Sequence, residues 1–368
     1  MMIRDTSAPP AVLVIGGGQA GLAMGYHLRQ AALPFRILDS ASRTGASWRE
    51  RWDGLRLFTP ARYSSLPGFP FPAAPEHYPG KDEVAAYLEA YAAHFALPVI
   101  PHDPVVSLAR ADGGYRATTR AGRVHEAPQV VVATGPFQTP WIPPCAAGLS
   151  PDIQQMHSAE YRRPEDVAGD DVLVVGGGNS GVQIAEELAA TRRVTLSVGA
   201  RMPRLPERML GRSIFWWLER MGMLDVPVDS ALGRRMSRTE TLIGTSPRTL
   251  ARDGVLRVIG RVQEARGGEI RTADGVVIHP DAVIWATGYR PDHGWIDPDL
   301  FRPAGHVGQH RGVTTAPGLY FLGLPWMHTR GSALIGWVGR DAEYLLRHIV
   351  QRATGRAATD QPPLPERS

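Results

Sequence analysis

One arrangement of apolar, glycine and amphipathic positions occurs twice along the chain. AVLVIGGGQAGLA begins at Ala11 and DVLVVGGGNSGVQ at Asp171. In each copy a short unbroken apolar run suits a strand buried on both faces of a parallel sheet. A glycine turn follows, and a stretch of helical period opens directly behind it, as at the start of a βαβ unit. A second echo follows each copy: VVATGP, with Ala133, Thr134 and Gly135, and VIWATGY, with Ala286, Thr287 and Gly288. Each is a buried strand running into a small-residue turn that lets the chain pass close to a flat ligand or cross between domains.

The glycines read as GxGxxG at Gly16, Gly18 and Gly21, and again at Gly176, Gly178 and Gly181. The first glycine permits the tight turn, the second lets backbone approach a pyrophosphate, and the third lets helix pack on strand. The helix N-terminus then offers its free amides to phosphate, through Gln19 and Ala20 in one copy and Asn179 and Ser180 in the other. The next strand differs between the copies. Phe35 to Leu38 leads into Asp39 and Ser40, where a carboxylate can accept hydrogen bonds from a ribose, which suits FAD or NAD. Val194 to Val198 leads instead into Gly199, Ala200 and Arg201, with Arg204 shortly after and no acid, which suits the 2′-phosphate of NADPH. The expected fold is α/β with two Rossmann-like dinucleotide-binding domains. An NADPH domain over 159–287 is inserted in a discontinuous FAD domain over 1–158 and 288–368, with a loose tail after about 352.

Composition narrows the function classes. The 368 residues suffice for two to three domains. The 40 glycines and 32 prolines exceed ordinary usage, and the repeated turns give much of the glycine a use. A net charge of +4, carried almost wholly by arginine since Lys81 is the only lysine, is interspersed with acids and gives no reason to expect nucleic acid. Cys145 is the only cysteine, which excludes an internal disulfide, a redox CxxC pair and a cysteine-rich metal site. His306, His310 and His328 sit in glycine-bearing loops without a cysteine nearby, so no metal is expected. No apolar run is long enough for a membrane span, and a cytoplasmic protein is expected, with a homodimer left open.

Beyond the paired turns, the segments WDGLRLFTPARYSSLPGFPFP from Trp52, AYLEAYAAHFALPV from Ala86, HSAEY from His157 and ATGYRPD from Ala286 are familiar. With them the chain resembles the flavin-containing monooxygenases, class B flavoproteins, and within them the YUCCA-type and CzcO-like bacterial branch. The resemblance implies that NADPH reduces FAD and that the reduced flavin captures O2 as a C4a-(hydro)peroxyflavin. One oxygen atom then passes to a small organic substrate, by N- or S-oxygenation or oxidation of a keto acid. It places FAD on Gly16, Gly18, Gly21 and Asp39, with Trp48 along the flavin, and NADPH on Gly176, Gly178, Asn179, Ser180, Gly181 and Arg201. His157 and Tyr161 match half of the family fingerprint FxGxxxHxxxY, whereas Pro151 and Ile153 stand where Phe and Gly are expected. In the LFTP segment Thr59 stands near the position of an Asn that some relatives aim at the flavin. Gly323, Leu324 and Arg330, in the C-terminal block from Leu322, are the expected wall at the flavin's pyrimidine edge. Thr59, His157, Tyr161 and Arg330 are thus the candidates for catalytic roles.

Ser213 to Gly222 reads as a short helix with Ile214, Phe215, Trp217, Leu218 and Met221 near one face, either a lid or channel wall for a hydrophobic substrate or an ordinary packed helix. The competing function is an NAD(P)H-dependent flavin oxidoreductase that passes electrons to a quinone or a partner protein without oxygenation.

Overall fold

A computed structural model describes residues 10–200, 202–300 and 308–355. The chain opens with β1 (Val12–Ile15), α1 (Gln19–Gln30) and β2 (Phe35–Leu38), then runs through α2 (Lys81–His94), β3 (Val99–Ile100) and β4 (Gln129–Val132). Every residue of β1 and β4 is buried, because helices lie on one face of the parallel sheet and the antiparallel ribbon Val105–Ala111, Gly114–Thr119 and Val124–Ala127 packs into the same core through Leu108, Tyr115, Ala117 and Ala127. Glu83 in the first turn of α2 reaches back to the amide of Gly80 at 2.8 Å and fixes that helix start.

The middle of the chain builds a second parallel sheet from β5 (Gln154–His157), β6 (Asp171–Val175), β7 (Arg193–Ser197), β8 (Arg257–Ile259) and β9 (Ala282–Trp285). Its order is β8-β7-β6-β9-β5, with α3 (Asn179–Leu188) following β6 and α4 (Ile214–Arg220) lying between β7 and β8. The chain then returns to the first sheet through β10 (Leu319–Phe321), which pairs in parallel with β4, and ends in α5 (Ile335–Ala353). The first sheet thus runs from the antiparallel edge Gln309–His310 and Val313–Thr314 through β10, β4, β1 and β2 to β3.

Two features fix one sheet against the other. Directly after the ATG segments, Thr139–Pro140 and Tyr289–Arg290 pair as an antiparallel ribbon, so the outward and return crossings run side by side. Trp52, from the first half, is buried in the core of the second sheet, and the amide of Asp53 bonds the carbonyl of Arg162 at 2.8 Å. One expected boundary moves. Gln154–His157, expected with the first segment, aligns residue for residue with Ala282–Trp285 as the edge of the second sheet. The chain crosses at the ribbon, before residue 158, because β9 has a free edge that β5 completes. Among the described residues no helix is long and apolar enough to cross a membrane.

Candidate functional site

Each glycine turn sits on its own ATG segment. Gly16 has φ +110°, and a Cβ there would meet the carbonyl oxygen of Ala133 at 2.5 Å; Gly176 has φ +127° and lies as closely on the carbonyl of Ala286. Only glycine combines that backbone with that approach. At Gly21 and Gly181 a Cβ would overlap the carbonyl oxygens of Gly16 and Gly176, so helix and turn are in backbone contact. At Gly18 and Gly178 a Cβ would meet nothing within 4 Å. In α1 the first amide to find a backbone acceptor is that of Leu22, on Gly18 O at 2.9 Å, and in α3 that of Val182, on Gly178 O at 3.0 Å. The amides at Gln19 and Ala20, and at Asn179 and Ser180, are the unsatisfied groups of a helix start. Both turns therefore fit a dinucleotide pyrophosphate, with glycine where the ligand approaches and donors aimed at it.

Asp39 follows β2 and accepts the amide of Ala41 at 3.1 Å beside the exposed Ser40. Burial pushes its carboxyl up, and the amides of Ala41, Gly17 and Ser40 pull it back. The loop is held from beneath by a residue that sequence reasoning missed. The amide of Asp103 bonds the carbonyl of Asp39 at 2.8 Å, and the fully buried Asp103 carboxylate meets Arg123 at 2.7 Å and His125 at 2.8 Å. Burial works to raise Asp103, but the hydrogen bonds from Arg123 and His125 prevail and hold it below the usual carboxylate range. No local motif marks Asp103, because its partners arrive from another strand.

The C-terminal block closes on the first turn. A Cβ on Gly323 would meet that of Ala20 at 2.7 Å, Gln19 Nε2 donates to Ala333 O at 3.0 Å, and Leu324 packs on the first core, as does the half-buried Trp48. Arg330 heads the short turn Arg330–Ala333, capped by Thr329, and burial pushes its guanidinium below its ordinary value while Glu240 raises it. Among the described residues nothing hydrogen-bonds or ion-pairs with Arg330.

At the second turn Asn179 Oδ1 accepts the amide of Ile243 at 3.0 Å, and Ser180 is exposed beside it. Arg201 lies outside the described residues. Arg204 donates through Nε to Gly244 O at 2.8 Å and pairs in parallel with Leu242, so its guanidinium is bonded to the glycine that follows the neighbouring strand Leu242–Ile243. An aromatic cluster that the chain pattern showed only in part is tied to both turns through neighbours, since it includes Ile243, whose amide Asn179 accepts, and Leu334, next to the Ala333 that Gln19 bonds. Tyr63 stacks on Trp337 at 5.8 Å, Phe58 on Phe215 at 6.0 Å, and Ile243 belongs to the same cluster. It joins the LFTP segment, α4 and α5. Ile214 and Phe215 are its buried part, while Met221 is exposed, so the expected apolar face of that helix is only half used.

Three of the four catalytic candidates have structural employment. Thr59 Oγ1 is buried 3.0 Å from Ser64 Oγ, which has the carbonyls of Thr59 and Pro60 as acceptors for its own proton. The Thr59 hydroxyl is therefore buried against Ser64 inside its own turn. His157 Nδ1 accepts the amide of Ala159 at 3.1 Å, so Nε2 carries the proton and donates to Gly288 O at 2.9 Å. Burial lowers its pKa and keeps it neutral. It latches the second ATG segment to β5. Tyr161 is fully buried and donates to Glu187 Oε2 at 2.9 Å, and burial drives its phenol far up, which makes it a core residue and not an acid–base group. At the crossings, Gln138 Nε2 donates to Thr134 Oγ1 at 2.7 Å and Gly135 O at 2.9 Å, Thr287 Oγ1 donates to Trp141 O, and Gly288 O also accepts from Trp141 N at 3.0 Å.

Two glycine turns that each fit a dinucleotide pyrophosphate define a two-dinucleotide oxidoreductase, with the lone Cys145 leaving no disulfide relay. Comparison with known proteins agrees. Residues 13–205 match the family described as Pyridine nucleotide-disulphide oxidoreductase. An uncharacterized oxidoreductase CzcO-like of Geobacillus kaustophilus is 47% identical over 341 residues, 92% of this chain and 98% of that one. The indole-3-pyruvate monooxygenase YUCCA1 of Oryza sativa subsp. japonica is 32% identical, with 87% of each chain covered. The structure of a flavin-containing monooxygenase from Stenotrophomonas maltophilia superposes with a TM-score of 0.77 at 32% identity, covering 94% of this chain and 99% of that one. The chain belongs to the pyridine nucleotide-disulphide oxidoreductase family, with CzcO-like oxidoreductases and flavin monooxygenases as its relatives.

Proposed function

We propose that the protein is an NADPH- and O2-dependent FAD monooxygenase that inserts one oxygen atom into a small organic substrate. The observation that supports this reading is the presence of two open glycine turns, each with a neighbour in or next to one aromatic cluster, Ile243 at the second and Leu334 beside Ala333 at the first. FAD belongs at Gly16, Gly18, Gln19, Ala20 and Gly21, with Asp39 on its ribose. NADPH belongs at Gly176, Gly178, Asn179, Ser180 and Gly181. When bound, the flavin supplies hydride acceptance and activation of O2. The chain's own residues do the rest. Each turn is seated on its own ATG segment, the residues after the two segments pair as a ribbon, and His157 holds Gly288 beside it, so these residues would hold the two cofactor sites in a fixed relation. Tyr63, Phe58, Phe215 and Trp337 keep water from their cluster and favour an apolar or aromatic substrate. Arg330, half-buried and without a hydrogen-bond or ion-pair partner among the described residues, heads the turn whose Ala333 carbonyl takes Gln19, and would supply positive charge toward an anionic flavin or substrate group.

The test is NADPH oxidation under 18O2 with a panel of small amines, thioethers and keto acids. One 18O atom in the product for each NADPH consumed supports oxygenation. NADPH oxidation that needs a quinone and leaves no 18O in any product would sink it in favour of electron transfer.

A further inference from the structure

The end of β7 is where a dinucleotide fold reads the adenosine ribose, and here the chain presents Gly199 with no acid. A residue far away in sequence covers that position. Arg261 donates through Nε to Gly199 O at 3.3 Å, and a Cβ on residue 199 would stand 3.1 Å from that Nε and 3.6 Å from the guanidinium carbon. The absent side chain of Gly199 is what lets the guanidinium lie flat across the strand end. The approach is not an accident of a loose surface side chain, because Ser197 anchors it. Buried at the last position of β7, Ser197 donates through Oγ to Gly260 O at 2.8 Å and accepts the amide of Val262 at 3.3 Å. One hydroxyl thus grips the residues on both sides of Arg261. The amide of Val198 on Ile259 O at 3.0 Å closes the same corner.

Among the described residues no carboxylate pairs with Arg261, and its guanidinium is exposed. Arg204 meets a different segment, donating its Nε to Gly244 O, whereas Arg261 donates to Gly199 itself. The geometry points to Arg261 as a specificity-determining residue that binds the 2′-phosphate of NADPH. This rests on the proposed cofactor reading and adds to it a residue that no local pattern around the second glycine turn contains. One edge of the guanidinium faces the Gly199 carbonyl, and the remaining N–H groups form the fork that takes two phosphate oxygens, which lysine could not reproduce in plane.

Adenosine 2′,5′-bisphosphate and 5′-AMP separate the 2′-phosphate from the rest of the nucleotide, and their binding can be measured by titration calorimetry on the purified flavoprotein. The wild type is expected to prefer the bisphosphate. Arg261→Ala should weaken the bisphosphate by roughly ten- to hundredfold, the loss of charge-assisted hydrogen bonds, and leave 5′-AMP within about twofold. Arg261→Lys should recover only part of the loss. The KM for NADPH should rise in Arg261→Ala while that for NADH stays. Unfolding curves of the variant check that the fold is intact, as expected for an exposed side chain. If the wild type prefers the bisphosphate and Arg261→Ala keeps that preference, the assignment of Arg261 is overturned and the NADPH reading stands. A wild type with no preference overturns both.

Discussion

Alanine at Gly18 and at Gly21 should do opposite things, although the two glycines are three positions apart in one motif. Gly18 has φ −76° and ψ −172°, extended backbone that alanine adopts freely, and its Cβ would meet nothing within 4 Å. Gly18→Ala should therefore leave the flavin-free protein as stable as wild type, or more stable by about 0.4–1 kcal/mol, because the unfolded chain loses freedom. The new methyl instead occupies the space where a pyrophosphate must approach the amides of α1. Losing one charge-assisted hydrogen bond there, worth about 1.5–3 kcal/mol, should weaken FAD by roughly ten- to hundredfold. At Gly21 the Cβ would overlap Gly16 O, with Gly16 C only 3.0 Å away, so α1 must lift off β1. Overpacking of this kind costs about 1–3 kcal/mol, and here the neighbour is backbone that has little room to yield. The assay is urea unfolding of the apoprotein followed by circular dichroism, with FAD affinity measured separately by quenching of flavin fluorescence. Wild-type FAD affinity in Gly18→Ala would refute the placement of the pyrophosphate. Undiminished stability in Gly21→Ala would refute the packing argument.

Other outcomes follow from the same geometry. Thr59→Val should lower stability by about 1–2 kcal/mol through loss of the bond to Ser64, and leave the ratio of product to NADPH unchanged; a rise in peroxide release would return Thr59 to the flavin. His157 is neutral in the fold with its pKa lowered by burial, so the unfolded chain takes up its proton first. Stability should be full above about pH 6.5 and fall as the pH drops below it, with a shallower fall in His157→Gln, measured by urea unfolding against pH. Tyr161→Phe removes the donor from a half-buried Glu187 and should cost about 1–3 kcal/mol in stability without changing turnover per bound flavin. Cys145→Ser should oxidise NADPH at the wild-type rate, since no second thiol exists to share a disulfide with it; a lost rate would show that the thiol takes part.

The sequence by itself determined what is local. The apolar run, the glycine spacing and the helical period that follows lie within a dozen consecutive residues, so Gly16–Gly21 and Gly176–Gly181 were legible as tight turns between a buried strand and a helix, as was the order of the two copies. Thr59 and Arg204 show the limit of local reading. A residue type at a suspect position says nothing about which neighbours its side chain meets, here Ser64 for Thr59 and the Gly244 carbonyl for Arg204. The ATG segments were visible as small turns, but that each seats its glycine turn, and that Thr139–Pro140 and Tyr289–Arg290 beyond them pair as a ribbon, depends on strands brought together from opposite halves of the chain. β5 joined the second sheet for the same reason, because an open sheet edge and not the nearest motif decides where a short strand pairs. The supports of the site are long-range as well: Asp103 under Asp39, the aromatic cluster drawn from three segments, and Arg261 over Gly199. Hydrogen bonds and ring contacts form wherever packing of the cores places their partners, and a spacing along the chain records them only when the partners are also neighbours in sequence.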